Sequence, residues 1–164
     1  WSSDVCSSDL GRVLAATNAD EVLHPASLTK IMTLYMTFDA LKRNQLTPQQ
    51  QIAVSVRAAS MTPSKLGLRP GETLTAEQAI LGLVTKSAND AAVALAEAIE
   101  GTESEFAQAM TRRARTLGMS QTTFANASGL PDPRQVTSPR DMALLALALL
   151  RDHPRQYQIG RAHV

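Results

Sequence analysis

Three helix-start signals, each followed by small and apolar residues at helical spacing, commit most of this chain to α-helix. Thr75 with Gln78 forms a capping box ahead of Ala79, Ile80, Leu83 and Val84. Thr102 with Glu105 precedes a stripe of Phe106, Met110, Ala114 and Leu117 that stops at Gly118. Ser138, with Pro139 at N1 and Asp141 at N3, opens a last segment whose apolar face is Met142, Leu145, Ala146 and Leu149. Between them, a helix burying Ala91, Ala92, Leu95 and Ile99 is expected to end at Gly101. Arg140 and Asp141 read as first-turn surface or capping charges. Strand signals are few: Gly11 to Ala16 reads as a short strand, with Asn18, Ala19 and Asp20 as the turn after it. The stretch from Gln51 to Gly71 reads as irregular, with Lys65-Leu66-Gly67 in a loop.

The earliest helix carries chemistry at its head. Ser27-Leu28-Thr29-Lys30 leads into Ile31, Leu34, Tyr35, Phe38 and Leu41, the i, i+3, i+4, i+7 spacing of an amphipathic helix. Side chains three apart on a helix share a face, so the Ser27 hydroxyl and the Lys30 amine can meet. A serine hydroxyl is a weak nucleophile at neutral pH and needs such a base. Lys30 serves only when neutral, which requires burial or nearby positive charge. The first turn's free N–H groups and positive dipole end also suit the anionic oxygen of a tetrahedral intermediate, with the Ser27 amide as one donor. By itself S-x-x-K is weak, since about one is expected by chance in a chain of this length. Downstream, Ser87-Ala88-Asn89 supplies a second hydroxyl and a polar amide. Ser87 also reads as an ordinary helix N-cap with Asp90 at N3, and Asn89 as a first-turn residue.

The residue content narrows the function classes. The 164 residues suit one domain, and 44% hydrophobic content is ordinary for a globular core. A net charge of +1 and 4% aromatic residues give no footing for a nucleic-acid partner. No apolar run approaches the ~18–20 residues of a membrane span. His24, His153 and His163 lack metal-ligand spacing, and His24 reads as a structural residue in the loop before Ser27. Gly67 to Gly71 lacks the Lys-Ser/Thr of a phosphate-binding loop, so no cofactor is expected.

Longer stretches around the two motifs resemble one family. His24 to Thr33, Gly67 to Leu74 and Lys86 to Ala92 are similar to the low-molecular-weight penicillin-binding proteins, the serine-type D-alanyl-D-alanine carboxypeptidases (peptidase S11-like). Leu117 to Phe124, Ala127 to Pro131 and Thr137 to Ala143 extend the likeness across residues 11–158. The resemblance implies a β-lactamase/transpeptidase-like α+β fold, with a five-stranded antiparallel sheet flanked by helices. This chain would hold mostly the helical part: the first strand would precede Gly11, later strands would follow Gln158, and the sheet would be incomplete. It also implies that Ser27 is the acylated nucleophile, Lys30 its general base and Ser87 the proton relay to the leaving group. Asn89 would orient substrate and help set Lys30. The implied partners are peptidoglycan stem peptides, with β-lactams as inhibitors, at the periplasmic or extracytoplasmic face of the inner membrane. Any membrane association would run through parts absent here.

The family's signature pairs these motifs with a later Lys-Thr-Gly, and no such triplet follows Asn89. Two alternatives share the remaining motifs: a DD-endopeptidase of the same family, and a catalytically silent wall-binding module. A class A β-lactamase fits less well, because no E-x-x-x-N follows Asn89; Glu97, Glu100, Glu103 and Glu105 read as surface or capping charges. Residues 1–10 and 159–164 resemble translated sequencing adapters and are set apart from 11–158, which takes Trp1 and Cys6 out of the reading. A partial sheet leaves strand edges and apolar faces uncovered. The isolated polypeptide is therefore expected to be poorly soluble; a monodisperse preparation that melts cooperatively would contradict this.

Overall fold

The computed structural model describes residues 4–7 and 12–156. In chain order the elements are β1 (Asp4–Ser7), β2 (Val13–Thr17), a 3-10 turn (Ala26–Leu28), α1 (Thr29–Lys42), β3 (Gln51–Ala53) and α2 (Val56–Ala59). There follow β4 (Thr73–Thr75), α3 (Ala76–Lys86), α4 (Asn89–Glu100), α5 (Glu103–Thr116) and α6 (Pro139–Asp152). Among the described residues the strands form only two short antiparallel ladders, β1 with β2 and β3 with β4. β1 lies inside the segment set apart as adapter-like, and it pairs Val5 with Ala16 and Cys6 with Ala15 before a bulge at Ser7. Every residue of β2 is exposed, Leu14 at 63%. The segment from 159, also set apart on its sequence, lies outside the described residues.

The cap signals become caps. The Thr75 hydroxyl accepts from the Gln78 amide and the Gln78 side chain from the Thr75 amide, closing the box. Thr102 and Ser138 accept from the amides of Glu105 and Asp141, and α4 ends at Gly101 with φ of 85°. These contacts satisfy donors that a helix start otherwise leaves unpaired.

α4 occupies the centre. Ala91 through Ala96 have no exposed surface at all, so the helix is buried all round and not only on the predicted face. Small side chains explain this: alanines let α1, α2, α3, α5 and β3 all pack against it. α1 is enclosed almost as fully. Met32, Tyr35, Met36, Phe38 and Ala40 are buried along with Thr29, Lys30, Thr33 and Thr37, whereas Ile31, Leu34 and Leu41 are only half-buried. Periodicity misplaced the face because threonines and a lysine occupy buried positions that it counted as polar.

Other expectations need correction. Gln51–Ala53 and Val56–Ala59 are a strand and a helical turn inside the stretch read as irregular; pairing with β4 and the Ser55 cap on Ala58 create them. In α6, Ala146 is exposed and Ala148 takes the inner position beside Leu145. Asp141 is buried, not superficial, and its carboxylate does not cap α6: its Oδ2 accepts from the Gln121 amide at 2.8 Å and the Thr122 hydroxyl at 2.7 Å. Arg140 is a surface charge as expected, paired with Asp20.

A polar cluster joins α1 to the end of α6. The Tyr35 hydroxyl donates to Asp152 and accepts from Arg113, which also donates to Asp39. The buried His153 ring meets Tyr35 edge-on at 5.0 Å, with its Nε2 3.1 Å from Asp39 Oδ1. Burial lowers the His153 pKa from 6.5, outweighing the opposing pull of Asp39 and Asp152; Lys42 adds to the lowering. A base with a depressed folded pKa contributes fully above its unfolded value and loses that contribution as pH falls through it. Urea midpoints taken from about pH 7.5 to about 5.5 should therefore fall, and His153→Gln should flatten the decline; an equal decline in both proteins would exclude His153 as its source.

Candidate active site

Ser27 lies within the 3-10 turn that leads into α1, and its side chain reaches solvent. The turn begins sharply because Ala26 adopts φ of 47°, in the left-handed region that non-glycine residues enter at a cost of roughly 1–2 kcal/mol. One helical turn further, Lys30 is only 4% exposed. Its Nζ donates to the Ser128 carbonyl at 2.5 Å. Desolvation pushes its pKa down to about 8, from an ordinary 10.5. A lysine in this state supplies an appreciable neutral fraction near neutral pH, the condition the Ser27 chemistry demands.

The second motif sits at the junction of α3 and α4. Ser87 is not an N-cap; it closes α3 in the left-handed conformation, φ 52° and ψ 40°, and Ala88 precedes α4 without a side-chain cap. Asn89 is the first residue of α4, as the sequence suggested, and it is buried. Its Nδ2 donates to the Thr62 carbonyl at 3.0 Å and its amide to the Ser64 carbonyl at 2.8 Å. Packing of α4 and α3 against α1 brings the two motifs onto adjoining elements. Among the described residues, no hydrogen bond links the side chains of Ser27, Lys30, Ser87 and Asn89 to one another, and the Ser27 and Ser87 hydroxyls are unengaged.

Two carboxylates that sequence reasoning did not assign to the site support it from behind. Asp90, with no exposed surface, accepts from the amides of Leu66, Gly67, Leu68 and Ala91, which ties the loop at Lys65-Leu66-Gly67 to the start of α4. Glu103, read as a surface or capping charge, is 4% exposed. Its Oε1 accepts from the Ala127 amide at 3.1 Å and its Oε2 from Arg57 Nε at 2.6 Å. A hint lay in Thr102-Glu103-Ser104-Glu105: the cap uses Glu105, leaving Glu103 unexplained.

Residues 127–129 form the wall facing α1. Ala127 O accepts from the Thr33 hydroxyl at 2.7 Å, next to the Ser128 carbonyl that receives Lys30. Gly129, with φ of 86°, presses so closely that a Cβ there would lie 1.9 Å from Ala26 O and 3.1 Å from the Ser27 nitrogen. The position admits only glycine. His24, exposed in the loop before Ser27, has its Nδ1 2.7 Å from the Gln135 carbonyl. Beside Ser27, a cavity of about 370 Å³ opens between His24, Pro25 and Ala26 and the Gly129 to Pro133 loop. Among the described residues no cluster of His, Cys, Asp and Glu side chains could hold a metal ion, and no helix is long and apolar enough to cross a membrane.

An α+β fold with an exposed serine in the turn leading into α1, and a buried lysine one turn on, belongs to the penicillin-binding, transpeptidase-like class. The crystal structure of the D-alanyl-D-alanine carboxypeptidase DacD from Francisella tularensis matches it with a TM-score of 0.89 at 38% identity, over 92% of this chain and 36% of that one. Penicillin-binding protein D2 from Listeria monocytogenes, in its ampicillin-bound form, matches at 0.81 and 30% identity, over 92% of this chain and 61% of that one. D-alanyl-D-alanine carboxypeptidase DacF of Bacillus subtilis is 41% identical over 143 residues, 87% of this chain and 37% of the relative. The chain belongs to the D-alanyl-D-alanine carboxypeptidase family, peptidase S11, which it matches over residues 5–163. It spans well under half the length of that curated relative.

The state of Lys30 is directly measurable. Its side-chain carbon resonances should titrate with a midpoint near pH 8, the amine being charged below and neutral above; a midpoint at the ordinary lysine value would mean that the site does not desolvate it.

Proposed function

We propose that this chain carries the nucleophile-bearing half of a serine-type D-Ala-D-Ala carboxypeptidase that trims peptidoglycan stem peptides outside the cytoplasm. The observation that carries the proposal is the buried, desolvated Lys30 one helical turn beyond the exposed Ser27. Membership of the family and the motif order Ser27-x-x-Lys30 then Ser87-x-Asn89 support it.

In the proposed reaction the Ser27 oxygen bonds to the carbonyl carbon of the penultimate D-alanine while its proton passes to neutral Lys30. The tetrahedral intermediate's negative oxygen faces the N–H end of the helix that Ser27 heads. The C–N bond then breaks, and the proton returns from Lys30 by way of the Ser87 hydroxyl to the amine of the departing terminal D-alanine. Water adds to the resulting Ser27 ester, giving up a proton to the same base. Cleavage of the ester restores the serine hydroxyl and releases the shortened peptide as a carboxylic acid. Asn89 is proposed to orient the peptide. A β-lactam enters the first step in the same way, its ring amide taking the place of the peptide bond. Because attack needs neutral Lys30, acylation should accelerate as pH rises through about 8.

Mass spectrometry after benzylpenicillin exposure tests this on the polypeptide translated from the whole reading frame that contains the chain. One covalent adduct, located on Ser27 and lost in Ser27→Ala, is expected. No adduct defeats the assignment and favours a silent wall-binding module; an adduct that survives the substitution defeats it by placing the reactive nucleophile elsewhere.

A further inference from the structure

The wall that receives Lys30 is itself held by a side chain remote from the reacting atoms. The successive amides of Ala125, Asn126 and Ala127 have no partner in a helix or ladder. Gln135 Oε1 accepts the first two, at 3.0 and 3.1 Å, and Glu103 Oε1 accepts the third at 3.1 Å. On the opposite side, the carbonyls of Ala127 and Ser128 receive Thr33 and Lys30. Residues 127 and 128 are thus clamped between α1 in front and the first residue of α5 behind. Glu103 is in turn fixed by Arg57 of α2, through Nε and a second guanidinium contact.

We propose that Glu103 is a positioning residue for Lys30: its buried carboxylate anchors the Ala127 amide and so fixes the Ser128 carbonyl against which the lysine rests. The role rests on the carboxypeptidase reading above. The Ala127 amide lies where water does not reach it, so an unaccepted N–H there would be unfavourable and the segment would shift to satisfy it. A shift moves the adjoining Ser128 carbonyl and opens the shell that keeps Lys30 dry. The charged groups that share the crevice around Glu103 are Arg57, Glu97 and Arg134; Arg134 is bound by Asp132, and Glu97 accepts from Ser55.

The test follows benzylpenicillin acylation of the whole translated polypeptide against pH. Glu103→Ala should lower the acylation rate constant on the order of 10-fold to 100-fold, as a displaced catalytic group does. It should also raise the midpoint of the pH profile from about 8 toward the ordinary lysine value. Glu103→Gln keeps an acceptor oxygen for Ala127 and should stay within about threefold of the parent, its midpoint unmoved. A merely structural role would lower the melting temperature and leave the midpoint in place, so an unmoved midpoint in Glu103→Ala overturns the proposal. A midpoint that moves equally in Glu103→Gln overturns it as well. If Glu103→Ala does not fold, Glu103→Asp replaces it, since the shorter side chain withdraws the carboxylate from the amide; the same outcomes then decide. Failure of the parent to label at Ser27 defeats the carboxypeptidase reading and this one together, whereas normal labelling with superimposed profiles defeats only the role of Glu103.

Discussion

Everything in this structure is hung on the close approach of helices to α4. A helix whose central residues are Ala91, Ala92, Val93, Ala94, Leu95 and Ala96 presents little more than its backbone, so neighbouring elements can touch it on all sides. Interiors pack at the density of organic crystals, and larger side chains at these positions would force neighbours apart by ångströms. The spacing matters because the two halves of the site ride on different elements. Ser27 and Lys30 belong to α1 and its leading turn; Ser87 and Asn89 belong to the α3–α4 junction. Their relation is set by packing and by no bond between them.

Buried carboxylates perform the second task, holding irregular backbone in place. Asp90 gathers the 66–68 amides, Glu103 takes the Ala127 amide and Asp141 takes the Gln121 amide together with the Thr122 hydroxyl. Loops near a site carry backbone groups that no ladder satisfies, and each such group needs an acceptor once water is excluded. An ionised carboxylate accepts several N–H groups at once, with bonds stronger than those of a neutral amide. Three otherwise unrelated acidic residues therefore share one physical logic.

This logic explains what the sequence disclosed and what it hid. Caps at Thr75, Thr102 and Ser138 and the stop at Gly101 depend on contacts within a few residues, so local pattern sufficed. Ser27-x-x-Lys30 and the Ser87 motif were legible for the same reason, through the flanking text that joined them to a family. Buried Glu103 and Asp141 escaped because their partners lie many residues away, and an acidic residue in a first turn looks the same whether it faces water or an amide. Periodicity also failed for α1. Its inner surface includes Thr33, whose hydroxyl is satisfied by Ala127, so a polar residue stands in the core at no loss of hydrogen bonding. The N-cap reading open to Ser87 fails for a similar reason: sequence cannot distinguish the last residue of one helix from the cap of the next when the two nearly touch.

Ala26 and Ser87 both hold left-handed backbone, one immediately before the proposed nucleophile and the other at the proposed relay. For residues with a β-carbon, the left-handed basin is an island separated from the right-handed and extended regions by steric collisions. Such corners do not bend by degrees; they are occupied or abandoned. The site's backbone is thus switched and not bent at two points on its rim.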